Sequence, residues 1–179
     1  MFQTLLCKLA EAFEKNNIPY MVIGGQAVLV YGEPRMTKDI DVTLGVGPDH
    51  LEEIIALVKG MGLTVLVSQP AEFVQKTMVL PCQDSSSGVR VDLVFSFSPY
   101  EQQAMKRVRK IPILNREVHF ASPEDLIIHK IIAGRPRDLE DARVVLNKNP
   151  DMDQTYIERW LSDFEKALDK PLVEVLRNL

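Results

Sequence analysis

The fold is decided by Gly24-Gly25-Gln26-Ala27, followed after Gly32 by Arg35-Met36-Thr37-Lys38-Asp39-Ile40-Asp41. This segment joins a glycine pair to two aspartates that are separated by one residue. An apolar run, Tyr20–Ile23, precedes the glycines, and a second apolar run over residues 27–31 follows them. The order predicts a strand, a glycine turn and a short helix that ends at Gly32.

The aspartates begin a segment, residues 39–44, in which polar and apolar residues alternate, as expected for a half-buried strand. Because successive strand side chains point to opposite faces, Asp39 and Asp41 should project side by side. A second alternating segment, residues 89–96, places Asp92 on its polar face. If the two strands are neighbours, three carboxylates meet and repel one another unless a cation joins them. Oxygen ligands of this kind suit Mg²⁺ or Mn²⁺, so the three aspartates are candidate metal ligands.

The glycine pair is a candidate phosphate site. Glycines between a strand and a helix allow close approach to the backbone, and the first amides of the helix are free to bind an anion. Gly24 and Gly25 would therefore hold the phosphates of a nucleotide, although such a pair also forms ordinary tight turns. The chain contains neither a Walker-type loop with its lysine nor a dinucleotide-binding glycine fingerprint, which disfavours other phosphate-binding folds.

The rest of the chain alternates helices and strands up to about Ser122 and is helical after it. Further helices are expected over residues 2–15, 48–61, 71–76 and 99–110. Strands are expected over residues 63–67 and 77–83, followed by a polar hairpin loop over residues 84–88. A hairpin is expected over residues 111–120, with its turn at Asn115-Arg116. Ser122 should cap the next helix, with breaks at Gly134, Asn149-Pro150 and Lys170-Pro171. We therefore predict an α/β core over residues 1–121 and a helical C-terminal region over residues 122–179 packed on it.

Composition restricts the class of protein. The 179 residues are 46% hydrophobic and 26% charged, which is typical of a globular domain rather than a disordered or fibrous chain. The apolar runs are too short to span a membrane, and the start of the chain lacks the pattern of a signal peptide, so a cytoplasmic protein is expected. The two cysteines and three histidines lack the spacing of a zinc or redox site.

The one basic cluster lies between residues 104 and 116, where five cations occur without an acidic residue: Lys106, Arg107, Arg109, Lys110 and Arg116. A polynucleotide acceptor is one possible partner for it, although the net charge of −4 argues against a nonspecific nucleic-acid coat. Cations at the end of a helix also complement its dipole. An oligonucleotide-binding module that works through this run is thus one alternative function.

The glycine and aspartate segment resembles the DNA polymerase beta-like nucleotidyltransferase superfamily, and within it the minimal AbiEii-type enzymes of toxin–antitoxin systems. Arg90-Val91-Asp92 resembles the strand that supplies the third carboxylate. The later helical motifs of those enzymes are matched by Lys130, Arg135, Asp138 and Asp141, and the resemblance covers about residues 20–146. Many superfamily members have serine after the first glycine, whereas this chain has Gly25, so backbone amides alone would contact the phosphates.

The resemblance implies a nucleotidyltransferase fold, with a mixed sheet flanked by helices. It also implies metal-dependent transfer of a nucleoside monophosphate from a nucleoside triphosphate to an acceptor hydroxyl, with release of pyrophosphate. The acceptor would be RNA such as transfer RNA, a protein or a small molecule, and a cognate antitoxin is a possible partner. The main alternative is a non-catalytic member of the same fold that binds a nucleotide or a partner protein.

Each candidate residue has a role under this hypothesis. Asp39 and Asp41 would hold the cations, and Asp92 would complete the site and help to remove the proton of the acceptor hydroxyl. Lys130 and Arg35 are candidate phosphate ligands. For Lys130 the alternative is an ion pair with Asp138 or Asp141, and for Arg35 it is a salt bridge.

Overall fold

Nine α-helices and seven strands follow one another in the computed structural model, which describes residues 1–179. The helices are α1 (Phe2–Lys15), α2 (Gly24–Tyr31), α3 (Leu51–Gly60), α4 (Pro70–Thr77), α5 (Pro99–Met105), α6 (Pro123–Ala133), α7 (Pro136–Lys148), α8 (Gln154–Leu168) and α9 (Leu172–Arg177). The strands are β1 (Tyr20–Ile23), β2 (Asp39–Leu44), β3 (Leu63–Val65), β4 (Val79–Asp84), β5 (Arg90–Phe95), β6 (Arg109–Ile113) and β7 (Arg116–Phe120). A 3₁₀ turn, Pro48–His50, precedes α3.

All seven strands form one mixed sheet in the order β3-β4-β5-β2-β1-β7-β6. The pairs β2–β5 and β1–β7 are parallel, and the other four pairs are antiparallel. The predicted α/β fold, with a mixed sheet flanked by helices, is confirmed. The central position of β2, between β1 and β5, places the paired aspartates next to both the glycine turn and the strand of Asp92.

The alternation that predicted β2 and β5 is also the pattern of their burial, except at Thr43, which is buried. Ile40, Val42 and Leu44 on β2 are fully buried, as are Val91 and Leu93 on β5. The aspartates that lie between these apolar residues are partly exposed. Removing one face of each strand from water therefore fixes the face on which the carboxylates project.

Most of the local sequence predictions are confirmed. Helix α1 spans the predicted residues, and the C-terminal helices break at the three expected places. Helix α2 begins at Gly24, so the glycine pair forms its first turn instead of a turn that precedes it. The hydroxyl of Ser122 accepts a hydrogen bond from the amide of Asp125 at the start of α6, with Pro123 in the first turn, as the capping pattern predicts.

The helix predicted over residues 99–110 is wrong in its second half. Helix α5 ends at Met105, and β6 begins at Arg109. Pairing with β7 along the edge of the sheet overrides the helical pattern here, and an edge strand tolerates Pro112. The hairpin turns at residues 114–115, one residue earlier than predicted, with Leu114 in a left-handed conformation at φ 53°.

Helix α6 lies centrally among the C-terminal helices and packs against α2, α7, α8 and α9. Leu126, Ile127 and Ile128 on it are fully buried, so it has no broad solvent face. The same burial encloses the ammonium group of Lys130. None of the helices is long and apolar enough to cross a membrane.

Candidate active site

The parallel pairing of β2 with β5 brings the three aspartates together. In this register Asp41 lies opposite Asp92, and Asp39 lies opposite Arg90. Neighbouring strands are about 4.8 Å apart, and residues two apart on one strand share a face. The polar face at this end of the sheet therefore carries the side chains of four residues at the corners of a square, which we call the carboxylate square: Asp39, Asp41, Asp92 and Arg90.

The glycine turn meets this square at Asp41. Gly24 has φ 61°, a conformation that side chains rarely adopt, and a Cβ atom added to it would lie 2.0 Å from Oδ2 of Asp41. A Cβ atom on Gly25 would lie 2.5 Å from Cγ2 of Thr37. Both glycines are therefore required by close contacts with the segment that carries the aspartates, and no side chain separates the turn from the carboxylate.

A buried glutamine ties α2 to the segment that leads into β2. Gln26, only 6% exposed, donates from Nε2 to Oγ1 of Thr37 at 2.7 Å and to the carbonyl oxygen of Asp39 at 3.4 Å. Sequence reasoning gave Gln26 and Thr37 no role. The signal was a polar residue inside the apolar first turn of a short helix, where an unpaired amide would be unfavourable.

Burial and the neighbouring carboxylates dominate the electrostatics at Asp41. Burial raises the pKa of the Asp41 carboxyl to about 6, with further increases from the charges of Asp39 and Asp92. Lys130 and Arg135 oppose this rise in pKa. Neither the carboxylate of Asp39 nor that of Asp41 forms a hydrogen bond or an ion pair with another residue of the protein. A bound cation would relieve both the desolvation and the repulsion.

Asp92 is held by its neighbour on the strand. The Nε of Arg90 donates to both carboxylate oxygens of Asp92, at 2.9 and 3.0 Å. Consistent with this, no three His, Cys, Asp or Glu side chains are arranged as they stand to hold a metal ion. The three aspartates fit a hard divalent cation in donor chemistry and in strand register, whereas the Asp92 carboxylate is oriented toward the guanidinium. Sequence reasoning missed this pair, although residues 90 and 92 share a strand face.

Lys130 lies within a buried ionic network. Its ammonium donates to Oδ1 of Asp138 at 2.8 Å and to Oδ2 of Asp141 at 2.9 Å, and the Lys130 residue is 7% exposed. The two aspartates are themselves buried, so these are not surface ion pairs. Arg135 also pairs with Asp138. Lys130 was a candidate either for phosphate binding or for an ion pair with Asp138 or Asp141, and the structure contains the ion pairs.

Arg35 connects this network to the glycine turn. Its Nη2 lies 3.0 Å from Oδ2 of Asp141, and the same nitrogen would lie 3.3 Å from a Cβ atom on Gly25. The Nε of Arg35 is buried and has no hydrogen-bond partner. The guanidinium is therefore beside the proposed phosphate site and retains an unused donor.

A cavity of about 410 Å³ opens beside Asp41. One part of its wall is polar and includes Gly24, Asp41, Lys130, Arg135 and Asp138. Apart from Glu101, the rest of the lining is aromatic or apolar, with Tyr100 from α5, His129 from α6 and Phe164 from α8. Sequence reasoning missed the aromatic part because its members come from three helices and share no motif.

The basic run does not form an open cationic surface. Arg107 pairs with buried Glu124 at 3.3 Å, and its guanidinium carbon lies 4.0 Å from the centre of the Tyr156 ring. Arg116 pairs with Glu11 and Glu14, and Lys110 pairs with Glu117. The expected match to a helix dipole is wrong for Arg109 and Lys110, because both lie in β6. Three of the five cations are thus neutralised within the protein.

Comparison with known proteins assigns the family. Residues 3–155 match the family described as "Nucleotidyltransferase of unknown function (DUF6036)". The chain belongs to this nucleotidyltransferase family. The resemblance seen in the sequence is therefore confirmed at this level, and the AbiEii-type assignment remains a hypothesis. A search among curated proteins gave no match.

Solved structures of nucleotidyltransferases share the fold. The antibiotic-resistance factor ANT(2'')-Ia is 17% identical with a TM-score of 0.63, and the match covers 92% of this chain and 91% of that one. An antigenic nucleotidyltransferase-like protein from Paracoccidioides brasiliensis is 18% identical with a TM-score of 0.60, covering 98% and 91%. The lincosamide antibiotic adenylyltransferase LnuA, in its lincomycin-bound structure, is 15% identical with a TM-score of 0.53, covering 76% and 91%. At these identities the likeness shows the fold alone.

Proposed function

We propose that this nucleotidyltransferase transfers a nucleoside monophosphate from a nucleoside triphosphate to an acceptor hydroxyl, and that the reaction depends on Mg²⁺ or Mn²⁺. The observation that carries the proposal is the position of Asp41. It lies opposite Asp92 on the parallel strand, and Oδ2 of Asp41 is within 2.0 Å of the place where a Gly24 side chain would begin. The backbone that would bind phosphate and the carboxylates that would bind the metal thus share one corner.

Asp39, Asp41 and Asp92 would hold the divalent cation. Their oxygen atoms are the ligands that Mg²⁺ prefers, and the raised pKa of Asp41 is what unrelieved negative charge and burial produce. When bound, the cation would neutralise charge on the carboxylates and phosphates and lower the pKa of the acceptor hydroxyl. Asp92 would receive the proton of that hydroxyl as it attacks the α-phosphorus in line with the departing pyrophosphate.

The triphosphate would lie on Gly24 and Gly25, where the first amides of α2 are free of helical partners. Arg35 would add its guanidinium at the same corner, since its Nη2 lies beside Gly25 and its Nε has no hydrogen-bond partner. In our proposal Lys130 acts as a buried positive charge held by Asp138 and Asp141, and Arg135, whose side chain is 76% exposed, contacts phosphate directly.

The acceptor hydroxyl would enter through the cavity beside Asp41. Its aromatic wall favours an acceptor with an apolar or planar face, since the rings of Tyr100 and Phe164 form part of the lining. Because three of the five cations of residues 106–116 are paired within the protein, the run gives little support to a phosphate-tracking RNA site. The ANT(2'')-Ia structure with adenylyl-2''-tobramycin and the lincomycin-bound LnuA structure suggest small hydroxyl compounds as the first acceptors to test. Transfer RNA and protein hydroxyls are the other classes.

The test is transfer of label from each α-labelled nucleoside triphosphate, with Mg²⁺, to a panel of small hydroxyl compounds, total RNA and cell protein. The wild type should label one class of acceptor and release pyrophosphate, and D41N should be at least about 100-fold slower. Asp151→Asn is the matched control, because Asp151 is exposed and outside the site. Nucleotide binding without transfer to any acceptor would favour the non-catalytic alternative.

The toxin-like role rests on the AbiEii-type resemblance alone and extends this proposal. If the chain is a toxin, its expression should arrest growth, D41N should not, and the product of a neighbouring gene should relieve the arrest as an antitoxin. Unimpaired growth at high levels of active wild-type enzyme would contradict this role without affecting the proposed chemistry.

A further inference from the structure

Arg90 is the cation of the carboxylate square, and it is hydrogen-bonded to one of the three aspartates. It lies on the same face of β5 as Asp92 and donates from Nε to both oxygens of that residue, at 2.9 and 3.0 Å. The cross-strand register also sets Arg90 opposite Asp39. Within the square, therefore, the guanidinium occupies one corner and uses both oxygens of the carboxylate diagonal to Asp39.

The pair between Arg90 and Asp92 opposes the binding of a metal ion by Asp92. A carboxylate that accepts hydrogen bonds on both oxygens has less lone-pair density free for a metal, and a guanidinium at its side repels an approaching divalent cation. The side chain of Asp92 is 17% exposed, so it cannot turn freely to another partner. The side chain of Arg90 is 54% exposed, and it can leave toward water without unpacking the core.

We propose that Arg90 is a positioning residue that occupies Asp92 in the absence of a divalent cation and must release it before that cation binds. This inference rests on the proposed function, because it requires the three aspartates to bind metal. Arg90 thereby competes with the metal for one ligand. It also limits the repulsion within the carboxylate square when no metal is bound.

Because Arg90 competes for Asp92, the protein should bind the metal more weakly than the three aspartates would in the absence of Arg90. Exposed ion pairs are weak, so the competition is modest and the pair opens readily. Removal of the guanidinium should tighten binding of the metal by about two- to fivefold, which is the range that an interaction of this strength gives. Lysine in its place retains the charge but loses the planar donor, and should give an intermediate affinity.

The experiment is a titration of the nucleotide-free protein with Mn²⁺, with free Mn²⁺ measured by electron paramagnetic resonance. We expect R90Q to bind Mn²⁺ about two- to fivefold more tightly than the wild type, with R90K between them. Arg109→Gln is the matched control, since Arg109 is exposed on another strand and has no acidic partner, and it should match the wild type. In a D92N background, R90Q should no longer change the affinity.

The outcomes separate this inference from the proposed function. If the wild type binds Mn²⁺ and D41N does not, while R90Q and R90K bind as the wild type or more weakly, Arg90 is not a competitor and the inference is wrong. If the wild type and D41N bind Mn²⁺ equally, or neither binds it, the proposed metal site fails and the inference fails with it. Circular dichroism of each variant verifies that the fold is retained.

Discussion

The backbone of Gly24 lies against the carboxylate of Asp41, so closely that a Cβ atom at residue 24 would be 2.0 Å from Oδ2. Strand β1 ends at Ile23, which is paired with Asp41 in the antiparallel register. The register that aligns β1 with β2 therefore also delivers the start of α2 to the carboxylate. We regard this contact as the structural basis of the site.

Alanine at Gly24 should damage the site. The added methyl group collides with Asp41, and φ 61° is unfavourable for alanine, so either the turn or the carboxylate must move. We expect transfer activity to fall by at least about 100-fold, with stability reduced by about 1–3 kcal/mol in urea titrations. Gly60→Ala is the control, because a Cβ atom there meets nothing within 4 Å. Full activity in G24A would show that this contact is dispensable.

Neutralising Asp41 should stabilise the metal-free protein. Its folded-state pKa of about 6 lies above the ordinary value of 3.8, so the folded protein binds the proton more tightly than the unfolded chain. Stability therefore falls as the pH rises from about 4 to 6, and the full penalty is present above pH 6. D41N removes this penalty and should gain about 1–3 kcal/mol at pH 8, with no gain below about pH 4.

Thermal or urea unfolding of the wild type and D41N across this pH range measures whether the substitution raises or lowers the free energy of unfolding. Saturating Mn²⁺ should stabilise the wild type more than D41N, because only the wild type has the full set of ligands. A D41N protein that is less stable than the wild type at pH 8 without metal would contradict the electrostatic account of the site.

Removal of Lys130 should destabilise the fold as well as the site. Its ammonium is the shared partner of two buried carboxylates, and Lys130→Met would leave Asp138 and Asp141 with Arg135 and Arg35 alone. We expect a loss of about 3–5 kcal/mol in unfolding free energy. Lys76→Met is the control, because Lys76 forms an exposed pair within α4, and its loss should cost less than about 0.5 kcal/mol. Equal effects of the two substitutions would refute a structural role for the network.

Arg107 should act in stability rather than in nucleic-acid binding. Arg107→Ala leaves the carboxylate of Glu124, which is 4% exposed, without its cation and removes the packing on Tyr156. A loss of about 2–3 kcal/mol in unfolding free energy is expected, against less than about 0.5 kcal/mol for Arg109→Ala. Salt-sensitive RNA binding that both substitutions abolish would instead restore the basic run as a contact surface.

The sequence predicts those parts of the site that local periodicity determines. Alternation in β2 and β5 sets the face of Asp39, Asp41 and Asp92, and the glycine pair marks the turn. Whether β5 is the neighbour of β2 is a matter of sheet topology, which no local pattern contains. The resemblance to known enzymes supplied that step.

Other features depend on contacts between distant segments and could not be predicted. The state of Lys130 was undecided because its partners Asp138 and Asp141 lie on the next helix, and only the packing of α6 against α7 brings them together. The aromatic wall of the cavity combines three helices. The early end of α5 follows from pairing between β6 and β7, which outweighs the helical preference of residues 106–110.

In the site that we propose, aspartates from two strands share one cation beside the glycine turn. Anomalous diffraction from crystals of the wild type with Mn²⁺ and a non-hydrolysable nucleoside triphosphate tests it most directly. We expect a manganese peak at about 2.0–2.4 Å from carboxylate oxygens of Asp41 and Asp92, with the phosphates against Gly24 and Gly25. Absence of manganese from Asp41, with the nucleotide bound elsewhere, would contradict the account.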